Sequence, residues 1–148
     1  MRDHDPLELE HFLPYRLSIL SNTVSQDIAR EYQQRFFLSM TEWRVMAVLG
    51  RWHGLSAREV AERTAMDKVA VSRAVTRLVA AGRVSRDTAD DDRRRSVLNL
   101  TDAGWKIHDI VAPMARQHES DLLQRLSADE LRTLMHILDK LSPVHVPG

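Results

Sequence analysis

The chain contains no cysteine. Disulfides, thiolate metal sites and thiol redox sensing are excluded together. Glycine and proline are scarce, five of each in 148 residues. Five glycines leave little backbone for a phosphate-cradling loop. No glycine-rich phosphate loop, nucleophile elbow or His-Glu-x-x-His run is present, so neither an enzyme nor a bound cofactor is expected. Long apolar runs are missing too. The longest, Val45 to Leu49, falls far short of the roughly 20 residues a membrane span needs, so no membrane partner is expected. The N-terminal segment is acidic and lacks the basic, apolar, small-residue order of a signal peptide, and a cytoplasmic location is the expectation. With 43% apolar and 28% charged residues, residues 1–148 are expected to form one globular unit.

Net charge is zero overall, which looks wrong for a polyanion binder until it is divided by region. Residues 1–35 carry 4 basic and 6 acidic side chains, a net of −2, and residues 36–55 carry 2 and 1, a net of +1. Residues 56–100 carry 10 and 7, a net of +3, and residues 101–148 carry 5 and 7, a net of −2. A basic middle between acidic ends suits a nucleic-acid-reading head held by scaffolding arms.

Period and punctuation mark the helices. Leu13, Leu17, Leu20, Val24 and Ile28 are spaced 4, 3, 4 and 4, one stripe of a long amphipathic helix approached by Pro6 and opened near Pro14. Thr41 can cap a second helix from Glu42 to about Trp52, stopped by Gly54. Ser56 and Glu59 form a capping box, with Leu55 and Val60 as its hydrophobic staple, for a short third helix ending near Arg63. Asp67 caps a fourth helix to Ala81, which Gly82 ends. Short strands follow at Val84–Arg86 and Val97–Leu100, joined by the polar segment 89–95. Thr101 caps a fifth helix towards Leu126, with Pro113 expected to bend it. Ser127 and Glu130 box a sixth helix striped by Leu131, Leu134, Leu138 and Leu141. The fold class is therefore mainly α with a small two-stranded β wing. Residues 41–104 form a winged helix-turn-helix, and 1–35 and 105–148 supply flanking arm helices.

On the fourth helix, Val71, Val75, Leu78 and Val79 gather on one side. Lys68, Val69, Ser72, Arg73, Thr76 and Arg77 occupy the other. A helix entering the DNA major groove needs such a face: short side chains for close approach, and Arg or Lys to reach base edges. A merely solvated basic face is the alternative. The tip of the ribbon carries Arg93, Arg94 and Arg95 in succession. Three adjacent guanidiniums repel one another unless Asp90 to Asp92 or an outside anion sits beside them, and a narrow minor groove is such an anionic site.

Residues 41–104 resemble the multiple-antibiotic-resistance regulator (MarR) family, and the helical arms fit as well. The most specific match is the wing pattern Asp92-Arg93-Arg94 followed by Leu98-Asn99-Leu100-Thr101-Asp102-Ala103-Gly104. Leu55 to Ala61 and Val71-Ser72-Arg73 before Leu78 also match in place. The resemblance implies that Arg94 reaches the minor groove and that Asp92 braces it. Arg83 departs from the family, which usually has an apolar residue there. It reads either as an extra phosphate contact or as a snorkelling side chain.

The first, fifth and sixth helices leave apolar stripes that one small head cannot cover. Burial against a second copy is the expected solution, at roughly 25 cal/mol per Å² of apolar area, with a larger monomeric core as the alternative. A homodimer would set two reading helices about one DNA turn apart on a pseudo-palindromic operator. The resemblance also implies a small organic effector, often aromatic or a carboxylate, in a cleft between arms and head. Candidate lining is Arg16, Ser18, Asn22, Trp43, Met46 and His53. The more common roles are core for Trp43 and a solvated helix residue for Arg16. The seven histidines show no tidy ligand spacing: His108 and His118 lie ten apart, and His4 and His11 sit in an acidic arm, so no metal site is expected. The expected function is a sequence-specific double-stranded DNA-binding repressor released by ligand. The alternatives are a winged-helix protein-interaction module and a ligand-independent architectural DNA binder.

Overall fold

The computed structural model describes residues 3–88 and 96–142. A single 3₁₀ turn, Leu9–His11, leads into α1 (Leu13–Phe36), α2 (Met40–Arg51), α3 (Ala57–Thr64) and α4 (Lys68–Ala80). Strands β1 (Val84–Thr88) and β2 (Ser96–Leu100) follow, then α5 (Asp102–Leu123) and α6 (Ala128–Leu141). The mainly helical fold with one small antiparallel sheet matches the expectation.

Local chemistry sets the boundaries. Ser56 Oγ accepts from the Glu59 amide at 3.1 Å while Glu59 Oε1 accepts from the Ser56 amide at 3.1 Å. Ser127 and Glu130 repeat the arrangement at the start of α6. Two orphan amides are satisfied each time, so the chain enters the helix in one way. Asp67 caps α4 through the Ala70 amide at 3.0 Å, and Thr101 caps α5 through the Gly104 amide at 3.1 Å. The second helix departs from expectation: its cap is Ser39, not Thr41. Ser39 Oγ accepts from the Glu42 amide at 3.1 Å, and Glu42 Oε1 returns to the Ser39 amide at 3.4 Å. Only Ser39 stands three residues before a glutamate, and that reciprocal pair outbids a lone threonine hydroxyl. Helix α5 runs unbroken through Pro113 and ends at Leu123, three residues earlier than expected. The strands are longer than expected, each reaching further towards the tip.

The core sits where the head elements converge. Val45, Met46 and Leu49 of α2, Val60 of α3, Val71, Val75 and Leu78 of α4 and Leu98 of β2 are all essentially inaccessible. Ala29 and Tyr32 of α1 and Val111 of α5 join them, so both arms are rooted in the head core. A 2.8 Å contact between His118 Nε2 and Glu31 Oε1 also ties α5 to α1.

The sheet is held at its base. Val84 pairs with Leu100 and Thr88 with Ser96. Leu55 adds a bridge on the far edge of β2, its carbonyl accepting from the Leu98 amide at 2.7 Å. Asn99 Oδ1 accepts from the Gly54 amide at 2.8 Å. Gly54 has φ +66°, a backbone that a side chain would strain.

Candidate nucleic-acid interface

Helix α4 is fixed by its inner face and free on its outer one. Val71, Ala74, Val75 and Leu78 are buried, whereas Lys68, Val69, Ser72, Arg73, Thr76 and Arg77 are all exposed. The side of the helix that reads as a DNA-facing surface is therefore continuous and accessible. Val69 is 56% exposed, an apolar side chain left in water on that face. Thr76 Oγ1 donates to the Ser72 carbonyl at 3.0 Å, which holds the hydroxyl along the helix and leaves its lone pairs outward.

No acid occurs within α4, and among the described residues Lys68, Arg73 and Arg77 form no ion pair. The face is a row of uncompensated cations around small side chains, an arrangement that favours an anionic partner. The turn into α4 passes through Ala65, at φ +53°, a left-handed conformation that costs a non-glycine residue of order 1 kcal/mol. Arg44 Nη1 donates to the Thr64 carbonyl at 3.4 Å, satisfying an end carbonyl of α3 beside that turn.

Strands β1 and β2 stay paired out to Thr88 and Ser96. Asp92, Arg93, Arg94 and Arg95 lie between them and outside the described residues. At the base, α4 closes with a paired C-terminal motif: Gly82, at φ +75°, donates to Val79 and Arg83 to Leu78, the two bonds that terminate a helix through a left-handed glycine. Arg83 itself is half-buried, and its Nη2 donates to the Phe36 carbonyl at 2.8 Å. Neither the phosphate contact nor the snorkel expected of it describes this bond.

The expected effector residues are not brought together. Arg16, Ser18 and Asn22 lie exposed on the N-terminal half of α1, Met46 is wholly buried in the core, and His53 is exposed with its ring 6.1 Å from that of Trp105. Trp43 alone of the six lines the cavity between α1 and α2. That cavity, about 230 Å³, is bounded by Ser25, Ile28, Tyr32, Met40, Trp43, Arg44, Ala47 and Met66. The polar groups there, Ser25, Tyr32 and Arg44, carry no periodic signal in the sequence. Burial pushes the Tyr32 hydroxyl up to about 12, against a smaller opposing effect of Arg44, so it stays a proton donor at neutral pH. Trp43 continues into a chain of rings: Tyr32 at 6.1 Å on one side, His108 at 5.8 Å on the other, and Trp105 at 5.0 Å beyond His108.

On the 3₁₀ turn, ligand atoms of Glu8, Glu10 and His11 lie within 4.8 Å of one another, all exposed. The histidine spacing had pointed to no such grouping. Exposed acids on one turn are commonplace and do not make a metal centre. Among the described residues, no helix is long and apolar enough to cross a membrane.

A reading helix docked on a second helix, followed by a two-stranded ribbon, defines a winged helix-turn-helix protein. Residues 38–95 match the model of the MarR family. It is 32% identical over 92 residues to the transcriptional repressor NicR of Pseudomonas putida, a match covering 62% of this chain and 58% of that one. A MarR/EmrR family transcriptional regulator from Acinetobacter sp. ADP1 superposes with a TM-score of 0.83 at 27% identity, over 91% of this chain and 95% of that one. A mutant MarR from Escherichia coli, solved with operator DNA, shares the fold with a TM-score of 0.76 at 24% identity, over 94% and 100% of the two chains. The chain spans about half the length of the first curated relatives it matches, 46% and 58%.

Proposed function

We propose that the protein is a homodimeric, sequence-specific double-stranded DNA-binding transcription regulator of the cytoplasm, not an enzyme, acting as a repressor that a small organic effector releases. The observation that carries this reading is the outer face of α4: six accessible side chains, three of them cationic, on a helix whose other side is locked into the core. Lys68, Val69, Ser72, Arg73, Thr76 and Arg77 would enter the major groove. Arg93, Arg94 and Arg95, with Asp92 bracing them, would hold the flanking minor groove and phosphates. Residues 41–104 would be the DNA-binding region, and 1–35 with 105–148 the dimerisation region of one unit. NicR carries the name of a repressor, and a repressor role is taken here from that likeness.

The cavity beside Trp43 suits the effector. Its volume of about 230 Å³ is below the roughly 300–1,000 Å³ common for drug-sized ligands and fits a single-ring compound. Trp43 and Tyr32 offer aromatic walls, and Arg44 with the protonated Tyr32 hydroxyl offers donors to a carboxylate. Release would be a population shift: an effector that favours a head spacing unsuited to the operator lowers DNA affinity by its differential affinity for the two states.

The test is selection of bound sequences from random duplex DNA by purified protein at physiological salt. Recovery of an inverted repeat with half-sites about one helical turn apart is expected. Recovery of unrelated sequences with equal affinity would replace this reading by an architectural binder. Recovery of nothing above background would favour a protein-interaction module. With the repeat in hand, titrating aromatic acids while following tryptophan emission and DNA affinity tests the effector.

A further inference from the structure

Arg83 occupies a junction of three helices. Its amide closes α4 on the Leu78 carbonyl at 2.9 Å, and its carbonyl accepts from the Thr101 amide at 3.1 Å at the start of α5. Its guanidinium reaches across 47 positions of sequence to the Phe36 carbonyl, the last residue of α1, at 2.8 Å. The packing around its backbone is tight. A Cβ on Gly104 would stand 2.1 Å from the Arg83 carbonyl oxygen, so α5 lies directly against this peptide. Thr101 Oγ1 also donates to the neighbouring Gly82 carbonyl at 2.6 Å. The main chain at 82–83 is thus fixed to the head, and only the long side chain reaches out to the arm.

The arm end that it grips joins the head through a short connection, with Ala29 and Tyr32 of α1 packed in the head core just before it. Helix α1 is joined to α2 by Phe37, Leu38 and Ser39 alone. Phe37 is 87% exposed and sits at φ +52°, a single left-handed residue that no side-chain packing holds in place. Leu38 and the Ser39 cap belong to the head. Rotation of the arm about Phe37 would move the Phe36 carbonyl off the guanidinium. The bond is charge-assisted and lies at the negative end of a 24-residue helix, where a cation is favoured twice over.

We propose that Arg83 is a positioning residue for DNA recognition, a strut that, beside the packing of Tyr32, sets the angle between arm helix α1 and reading helix α4 at the Phe37 connection. The inference rests on the DNA-reading function proposed above. Two heads can occupy two half-sites together only when their arms hold them at the right spacing. A strut that fixes the angle keeps the dimer in that competent arrangement before DNA arrives.

The absence of native cysteine makes the test clean. Spin labels at Arg30→Cys on α1 and Glu62→Cys on α3, both exposed, report the arm–head distance within one chain when labelled protein is diluted with unlabelled. Arg83→Leu keeps the apolar stem and removes the strut; Arg83→Lys keeps the cation. Arg83→Leu should broaden the distance distribution. It should weaken binding to the selected inverted repeat about tenfold, because the competent fraction falls about tenfold, while a single half-site changes less than about twofold. Arg83→Lys should restore the narrow distribution and most of the affinity. Equal losses on the repeat and the half-site would mean a direct phosphate contact and overturn the strut. An unchanged distribution in a folded Arg83→Leu protein, checked by helicity, would also overturn it. A wild-type protein that selects no duplex sequence sinks the DNA-reading function, an outcome separate from an unchanged distribution.

Discussion

Gly50 and His108 face each other across the contact between α2 and α5: a Cβ on residue 50 would lie 2.6 Å from His108 Nε2 and 2.8 Å from its Cδ2. The imidazole has little room to retreat, because it stands 5.8 Å from the Trp43 ring and 5.0 Å from the Trp105 ring. Glycine within a helix costs up to about 1 kcal/mol relative to alanine, and at Gly50, in the last turn of α2, that cost makes space for a ring joining arm to head. Gly50→Ala should therefore destabilise, since overpacking costs about 1–3 kcal/mol and outweighs the helix gain. In a His108→Ala background the same change should stabilise by about 0.5–1 kcal/mol, as propensity alone predicts. Denaturant unfolding of the four proteins measures the sign. A stabilising Gly50→Ala in the wild-type background would show that the ring moves freely.

Tyr32 gives a pH prediction. Burial raises its hydroxyl from 10.0 to about 12. Between those values the unfolded chain loses this proton before the folded one does. The folded state then binds more protons, so stability falls as pH rises. The contribution is fully present below pH 10 and is lost progressively through about pH 12. Tyr32→Phe should flatten that part of the profile while leaving neutral pH little changed. A wild-type profile that is level over this window would place the hydroxyl in water.

On α4, Arg73 has the strongest claim to a base contact, being mid-helix on the exposed face and without an ion pair among the described residues. Arg73→Ala should cost about 1–3 kcal/mol on the selected operator and relax preference at one base position, as loss of a bidentate guanine contact does. Arg94→Ala should weaken operator binding with the oligomeric state unchanged, through loss of a minor-groove guanidinium. Competition binding with operator and random duplexes separates the two roles. Equal loss for Arg73→Ala on both duplexes would make it a phosphate contact, and unchanged affinity for Arg94→Ala would remove the wing from recognition.

Most of the fold is legible where cause and effect lie close in sequence. The capping box at Ser56 and Glu59, the Asp67 cap and the Gly82 stop all act within one turn, so their residue types announce the boundaries. Even the misplaced cap at Ser39 obeys this: the Glu42 partner stands three residues away, and Thr41 has none. The outer face of α4 is legible for the same reason, because a 3.6-residue period sorts buried from exposed. What is not legible is long-range. Arg83 meets Phe36 across 47 positions and Asn99 meets Gly54 across 45, and no local pattern marks either pair. The cavity fails similarly. Arg16, Ser18 and Asn22 share α1 with Ser25, Ile28 and Tyr32, but only the latter three lie where α1 meets α2, and that crossing point is set by tertiary packing.

The arms carry the last prediction. Leu13, Leu17 and Leu20 of α1 are 52%, 44% and 52% exposed, and Leu134, Leu138 and Leu141 of α6 are 37%, 37% and 56% exposed. No residue of α6 is buried at all, although its leucines fall on one helical stripe. A stripe of this size left in water marks an interaction surface. A second copy would cover it, each leucine, already about half buried, contributing about 0.7–1.5 kcal/mol more. Placing a carboxylate there should cost more than any single leucine contributes, because the charge would be desolvated without a partner. Leu17→Asp with Leu138→Asp should therefore convert the protein to monomers that keep the head fold, read by sedimentation equilibrium alongside helicity. The monomer should still bind a single half-site but lose the inverted repeat's advantage, since two heads no longer share one attachment. A wild-type protein that sediments as a monomer at micromolar concentration would remove the dimer, and with it the palindromic operator.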